Sequence, residues 1–423
     1  MSGSLSEPTF LTPDDAGYAA ETAGFQTGFP VRPELVVAAR SPEEVRGAVA
    51  YAAERGLPLA VQATGHGLAG PVDGGVLVST RRMDGVRVDP AARTARIEAG
   101  ARWGQVVAAA APHGLAPLNG SSPGVGAVSY TLRGGLGILG REFGWAADRV
   151  RSLELVPPDG EPVTVTGASD PELFGRLLGG GGPALGVVTA LETGLVPVAR
   201  LYGGSLLFTD GGAGGVEAVV RAWREWTAGV PEALTSSLAV MVYPELPFVP
   251  EHLRGRYTAS VRIAYTGDAA EGERLVAPLR AAAGRRPLED TLREMPSRES
   301  HTIHSDPDQP HAYYGEGRLL GALDPAAIGP LLERTGPDSP LWTVVQLNHL
   351  GGALARPAAN SVPHREAGYL VRLLSVLGDA PGNGTSPDQV RARYAEVFGA
   401  LGPAVLGPAR GFAFGAGGDA VAA

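Results

Sequence analysis

Glycine is distributed unevenly along this chain, and its placement constrains the fold more than any other feature. Three stretches carry the signal: Gln62-Ala63-Thr64-Gly65-His66-Gly67, residues 120–140, and residues 179–188, which open with four glycines in a row. Glycine reaches backbone conformations closed to other residues, and without a Cβ it lets the chain approach a ligand closely. At a strand end such a loop presents N–H groups to a phosphate. One loop of this kind is more often an ordinary tight turn. Three of them suit a dinucleotide diphosphate, which needs several donors aimed inward. None is followed by the ribose-binding acid of a Rossmann fingerprint, so a nicotinamide cofactor held in that manner is not supported.

Around these loops short strands and helices alternate. Residues 33–58 read as strand then helix: Ser41 is an N-cap, Pro42 takes the first helical position, and Glu44 completes a capping box. Val45, Val49 and Ala52 follow at helical spacing, and Gly56 ends the run. Strands at 59–63, 76–79, 86–88 and 94–99 and a helix at 104–113 continue the pattern. After about residue 200 the character changes. Segments 202–208, 236–242, 257–265, 341–349 and 369–376 alternate apolar and polar residues, with amphipathic helices at 216–228, 270–283 and 387–401 between them. That suits an antiparallel sheet with helices on one face. The expected fold class is therefore α+β in two domains, 1–198 and 199–423.

A length of 423 residues also favours two domains. A net charge of -9 argues against a nucleic-acid binder, which needs a basic face, and against an anionic membrane. The chain has no cysteine, which excludes disulfides, thiolate catalysis and Cys-ligated metals. The polar start MSGSLSEPTFLTPDD lacks the pattern of a secretory signal. No apolar run approaches the ~18–20 residues of a membrane span. The expectation is a cytoplasmic monomer or homodimer.

The glycine clusters sit within a longer ordered series of motifs. These are Arg32-Pro33, Ser41-Pro42-Glu43-Glu44-Val45, a strand leading to Gly65-His66, Asp89-Pro90-Ala91, Glu98-Ala99-Gly100 and Gly114-Leu115-Ala116. Then come Tyr130-Thr131-Leu132-Arg133-Gly134-Gly135, Gly144-Trp145-Ala146-Ala147-Asp148, and Gly186-Val187-Val188-Thr189 after the four glycines. Over residues 32–198 this series resembles the FAD-binding domain of the vanillyl-alcohol oxidase and p-cresol methylhydroxylase (PCMH) type, in its berberine-bridge-enzyme-like bacterial branch. The resemblance implies a PCMH-type FAD-binding domain of two small α/β subdomains, followed by the helix-covered antiparallel substrate domain. It implies FAD held by Thr64, Gly65, His66, Gly67, Ser122, Gly126, Arg133, Gly134, Gly135, Gly182, Gly186 and Val188. His66 is the position at which the family links a histidine to the flavin 8α-methyl group. A neutral imidazole nitrogen can attack that electrophilic carbon; the plainer alternative is a loop histidine that contacts phosphate or solvent. Some relatives add a cysteinyl link at a position that is Ser122 here, so a single attachment is expected.

The pattern thins on the substrate side. Pro183-Ala184-Leu185-Gly186 stands where the family has Asn-Phe-Gly-Val-Val, and Arg133 replaces a usual glycine. Phe143 stands for a tyrosine, Leu373 approximately for a Gln or Glu base, and residues 411–414 for a Tyr-x-Asn motif. Leucine and phenylalanine cannot take a proton. The chain ends at Ala423, before the family's Tyr-Asp-Pro-x-Asn return segment, so a shortened chain or a less enclosed cofactor is expected. The remaining catalytic candidates are His349, Tyr130 and Asn348, with Tyr265 and His304 as further groups beside the flavin. Gln346 and Asn348 share one face of a strand, and His349 points the other way. Tyr313-Tyr314 reads as packing. His301, His304 and Asp306 have the right ligand types for a metal, yet no metal is expected from type alone.

The function implied is an FAD-dependent oxidase or dehydrogenase of an organic small molecule, in secondary metabolism. Electrons would pass to flavin N5 and then to dioxygen. The alternative is a redox-inactive ligand-binding or non-redox cyclising protein on the same fold.

Overall fold

The computed structural model describes residues 9–180, 182–210, 215–247, 249–281, 284, 286–380 and 383–415. Gly181, and the last two residues of the helix expected at 270–283, lie outside that set.

Three main sheets follow one another along the chain, with two further two-stranded pairs among the described residues. In the first, Leu35–Ala38 and Leu59–Gln62 flank Val76–Ser79 in parallel. The helix Pro42–Arg55 crosses between strands, and Val45, Ala48, Val49 and Ala52 pack on Val37, Val76 and Val78. Ser41 Oγ accepts from the Glu44 N–H at 3.4 Å, while Glu44 accepts from Arg40 rather than from the cap itself. Gly56 closes the helix at φ 62°.

The second sheet has five antiparallel strands: Val163–Val165, Val150–Val156, Val187–Gly194, Thr94–Glu98 and Val86–Asp89. Val187–Gly194 is buried almost throughout, so it lacks the alternation that marks a half-exposed strand. The chain then crosses into a third, nine-stranded antiparallel sheet that begins at Arg200. At its centre Tyr257–Tyr265, Leu234–Val242, Val344–His349, Tyr369–Val376 and Tyr313–Leu320 lie side by side.

Four helices, Gly215–Thr227, Ala269–Arg280, Pro325–Thr335 and Pro387–Gly399, cover one face of this sheet. They bury Trp223, Leu238, Val261, Leu347, Leu373 and Tyr394 in one core. The other face turns toward the glycine-rich half. Cross-strand pairing puts Ser237 opposite both Arg262 and Asn348, and Gln346 opposite Arg372, so these side chains share that face.

The two halves interlock. Leu350, Leu354, Val362 and Ala409 join the core of Trp103, Trp145 and Leu153. Arg365 pairs with Asp148 at 2.5 Å, and the Gly415 N–H donates to Leu68 O at 3.1 Å. After Val405–Pro408 has joined the edge of the large sheet, residues 409–415 run back along the first half; the segment from 416 to 423 lies outside the described residues. Arg141 crosses the seam and donates to the carbonyls of Leu234 and Leu350 and to His349. Among the described residues no helix is long and apolar enough to cross a membrane.

Candidate functional site: a cavity between a glycine wall and a polar sheet

A cavity of about 970 Å³ separates the glycine loops from the open face of the large sheet. Thr64, Gly65, His66, Gly67, Ser122, Tyr130, Arg133, Gly135, Gly182, Gly186 and Val188 line its first wall. Gly126 and Gly134, expected in that wall, stand behind it. The Gly126 N–H donates to Thr64 Oγ1 at 3.2 Å, and Gly134 packs on Val362 and Trp145.

His66 is held in a defined pose. Gly65 turns the chain at φ 70°, and a Cβ there would meet Gly24 Cα at 2.6 Å. The imidazole stacks on Phe25, with ring centroids 3.9 Å apart and planes within 10°. Its Nδ1 lies 2.9 Å from Thr64 Oγ1, the hydroxyl that also takes the Gly126 N–H. From the sheet side the Tyr313 hydroxyl donates to the His66 carbonyl at 2.6 Å. His66 Nε2 is buried and has no partner among the described residues. Burial first, then the charges of Arg102 and His311, lower its pKa to about 4, so the ring is neutral at pH 7. An oriented, neutral and orphaned imidazole beside a Cβ-free wall fits a covalently held flavin.

The rest of this wall is tight. Gly135 sits at φ 73°, and a Cβ on it would strike Tyr130 Cε1 at 2.6 Å. The Tyr130 hydroxyl is buried without a partner, and its ring stands edge-on to Trp103. Arg133 turns inward and donates to Gly67 O at 3.1 Å. In the third cluster Gly186 has φ 126°, and a Cβ would meet Val156 O at 2.8 Å.

The opposite wall is made of polar side chains. Arg262, Ser237, Gln346, Asn348 and Arg372 come from the sheet, and His304 and Asp306 from the loop after the turn Ser297–Ile303. His304 Nε2 lies 3.3 Å from Ser237 Oγ, while His304 Nδ1 and Asn348 Oδ1 are buried without partners among the described residues. Burial, reinforced by Arg262, keeps His304 neutral. Burial opposes the charge on Asp306, but the Arg262 guanidinium, a hydrogen bond from Ser121 and Arg372 outweigh it and hold the carboxyl below its ordinary range. Arg372 stacks on Phe412 at 3.9 Å, and burial brings its pKa down to about 10.

The structure redistributes the catalytic candidates. Tyr130 and Asn348 face the cavity. His349 does not: its strand turns it to the far side, where Arg141 Nη1 lies 3.0 Å from its Nε2. Tyr265 is also turned away, into the helix-covered core. Leu373 is no counterpart of a cavity base, because it is 1% exposed in that same core. The cavity-facing neighbour is Arg372; a one-residue step along a strand exchanges its faces. Tyr314 packs in the core as expected, but Tyr313 lines the cavity. His301 is exposed and lies 3.3 Å from the Arg298 carbonyl, while His304 points inward. Among the described residues no group of three His, Asp or Glu could hold a metal ion. Arg262 and Arg372 were not among the sequence candidates and Asp306 was weighed only as a metal ligand, although an arginine inside Ser260-Val261-Arg262-Ile263-Ala264 or Leu370-Val371-Arg372-Leu373-Leu374 is a signal that could have been read.

Residues 33–166 match the FAD binding domain family. The (R)-6-hydroxynicotine oxidase of Paenarthrobacter nicotinovorans is 34% identical over 207 residues, 47% of this chain and 45% of that protein. An uncharacterized FAD-linked oxidoreductase of Bacillus subtilis, YgaK, is 25% identical over 402 residues, 92% of this chain and 84% of that one. The chain thus matches less than half the length of the first relative. Among solved structures, 6-hydroxy-D-nicotine oxidase from Arthrobacter nicotinovorans gives a TM-score of 0.78 at 24% identity, over 98% of this chain and 90% of that one. The berberine-bridge-enzyme-like 1 protein of Physcomitrella patens gives 0.81 at 18%, over 96% and 88%. These structures share the PCMH-type arrangement of mixed helices and strands with an antiparallel sheet. Residues 33–166 thus carry an FAD binding domain, and the relatives of this chain are FAD-linked oxidoreductases of the vanillyl-alcohol oxidase and p-cresol methylhydroxylase and berberine-bridge-enzyme-like type.

Proposed function

We propose that this chain is an FAD-dependent oxidase or dehydrogenase of an organic small molecule, with FAD attached once, through His66. The observation that carries the reading is the orphaned, neutral His66 nitrogen at the edge of a 970 Å³ cavity whose near wall is glycine backbone. Bound FAD would supply a two-electron acceptor at N5 and pass the electrons on to dioxygen.

The chain's own residues do the rest. Phe25 and Thr64 fix the plane of the His66 ring, and its neutrality leaves a lone pair free to attack. Ser122 offers no thiol for a second bond. The glycines at 65, 135 and 186 let the loops of this wall pack where a Cβ would strike the chain's own atoms, and so hold the wall in place. On the facing wall Gln346 and Asn348 orient the substrate, and His304, neutral with an unpaired Nδ1, takes the proton that the substrate gives up. The redox-inactive alternative drew on a substrate side stripped of polar groups; Arg262, His304, Asp306, Gln346, Asn348 and Arg372 on that wall favour the enzyme.

The test is intact mass together with absorbance before and after acid precipitation. A mass increment of one FAD is expected, with yellow colour in the pellet that His66→Ala releases. A colourless protein of unmodified mass after incubation with FAD refutes the reading. Anaerobic bleaching by a substrate panel then separates an oxidoreductase from a redox-inactive binder.

A further inference from the structure

The sheet wall carries more positive charge than its neighbours neutralise. Arg262 and Arg372 project from strands separated by Leu234–Val242 and Val344–His349, and both open onto the same cavity. Among the described residues neither guanidinium has a hydrogen bond or an ion pair. Arg372 has only the face of Phe412. Asp306 is the carboxylate that acts on both, and it already accepts from Ser121. Gln346 and Asn348 are uncharged, and burial keeps the phenols of Tyr130 and Tyr313 protonated and His304 neutral. Two cations therefore face one anion in surroundings dry enough to weaken both arginines. The chain as a whole is at -9, so this surplus is local.

Both half-buried guanidinium groups open onto the cavity, and among the described residues the protein offers them no hydrogen-bond acceptor, so a ligand that enters can supply one. The planar fork of arginine matches a carboxylate's two oxygens better than any neutral group. The diphosphate of a dinucleotide does not meet this need, because the backbone donors suited to it lie on the opposite, glycine-lined wall.

We propose that the substrate of this site is an organic anion whose carboxylate is bound by Arg262 and Arg372. This rests on the reading that the glycine wall holds FAD.

The experiment titrates the FAD-loaded protein with benzoate, benzamide and benzylamine and follows the perturbation of the flavin absorbance. These probes share a ring and differ in charge. Charge-assisted hydrogen bonds predict benzoate tighter than benzamide by about ten-fold or more, and benzylamine weaker still. Arg372→Leu and Arg262→Leu bring benzoate to within about two-fold of benzamide while the flavin-to-protein ratio stays unchanged; Arg372→Lys recovers part of the preference. Benzamide or benzylamine binding as tightly as benzoate to flavin-loaded wild type overturns the proposal, as does the absence of binding by all three. That contrast needs no variant, so a variant that fails to fold does not shield it. A wild-type protein that retains no FAD refutes the cofactor reading instead, and calorimetry with the same three probes then reads the anion preference directly.

Discussion

On one side of the cavity the chain presents backbone, and on the other it presents charged side chains. The near wall, residues 59–188, works by close packing of its loops: a Cβ on Gly65, Gly135 or Gly186 would strike the chain's own atoms and push the loop out of place. The far wall works by commitment: Arg262, His304, Asp306 and Arg372 hold polar atoms against the cost of burial. A wall of the first kind accepts a cofactor of fixed shape. A wall of the second kind selects among substrates. The difference also decides what a mutation can do, since the near wall fails through sterics and the far wall through unpaired charge.

Gly65→Val attacks the near wall with the largest expected effect. Left-handed backbone costs about 1–2 kcal/mol for a residue with a Cβ, and here that atom would also lie 2.6 Å from Gly24 Cα. The loop must shift, and His66 shifts with it. We expect retained flavin to fall below a tenth of wild type, read from the absorbance ratio. Gly56→Ala is the control. It has a similar φ, 62°, with nothing within 4 Å of the added atom. It should lower the unfolding midpoint through strain alone and leave flavin untouched. Equal flavin loss in both variants breaks the idea that the near wall acts by excluded volume.

The far wall is tested by two neighbours that face opposite ways. Leu373→Ala opens a hole in the helix-covered core and should cost about 2–5 kcal/mol in urea unfolding, with substrate affinity little changed. Arg372→Leu removes a poorly solvated charge, so stability should hold or rise while anion binding is lost. If the two variants exchange phenotypes, the strand register is wrong.

This parity explains what could be read from the sequence and what could not. Ser41, Pro42 and Gly56 placed a helix to the residue, because capping is local chemistry. The strand at 257–265 was legible because one face is buried and the other is not. Pro325–Thr335 was missed: Gly329 and Pro330 inside it look like breakers, and only tertiary packing of Ile328, Leu331 and Leu332 overrides them. In the site, the glycine wall was legible because the demand for no side chain leaves a mark on composition. The sheet wall was legible only in part: Gln346, Asn348 and His304 were read, but moving from Leu373 to Arg372 reverses the conclusion on the next strand and nothing local fixes its register.

The smallest expected effect lies at the seam between the walls, on His349. Arg141 can only donate, so His349 serves as its acceptor and must be neutral. Burial and that arginine lower its pKa from 6.5 to about 3. The folded protein therefore leaves it unprotonated where the unfolded chain takes up a proton. The stability gained is complete above pH 6.5 and is lost progressively as pH falls from 6.5 toward 3. His349→Gln keeps an acceptor oxygen and removes the titration. Its urea midpoint should decline less steeply than wild type between pH 6.5 and 4, with the slope that remains owed in part to His304, whose pKa is depressed in the same direction. An unchanged slope in His349→Gln would mean that the seam is not held by a neutral histidine, and that Arg141 relies on the Leu234 and Leu350 carbonyls alone.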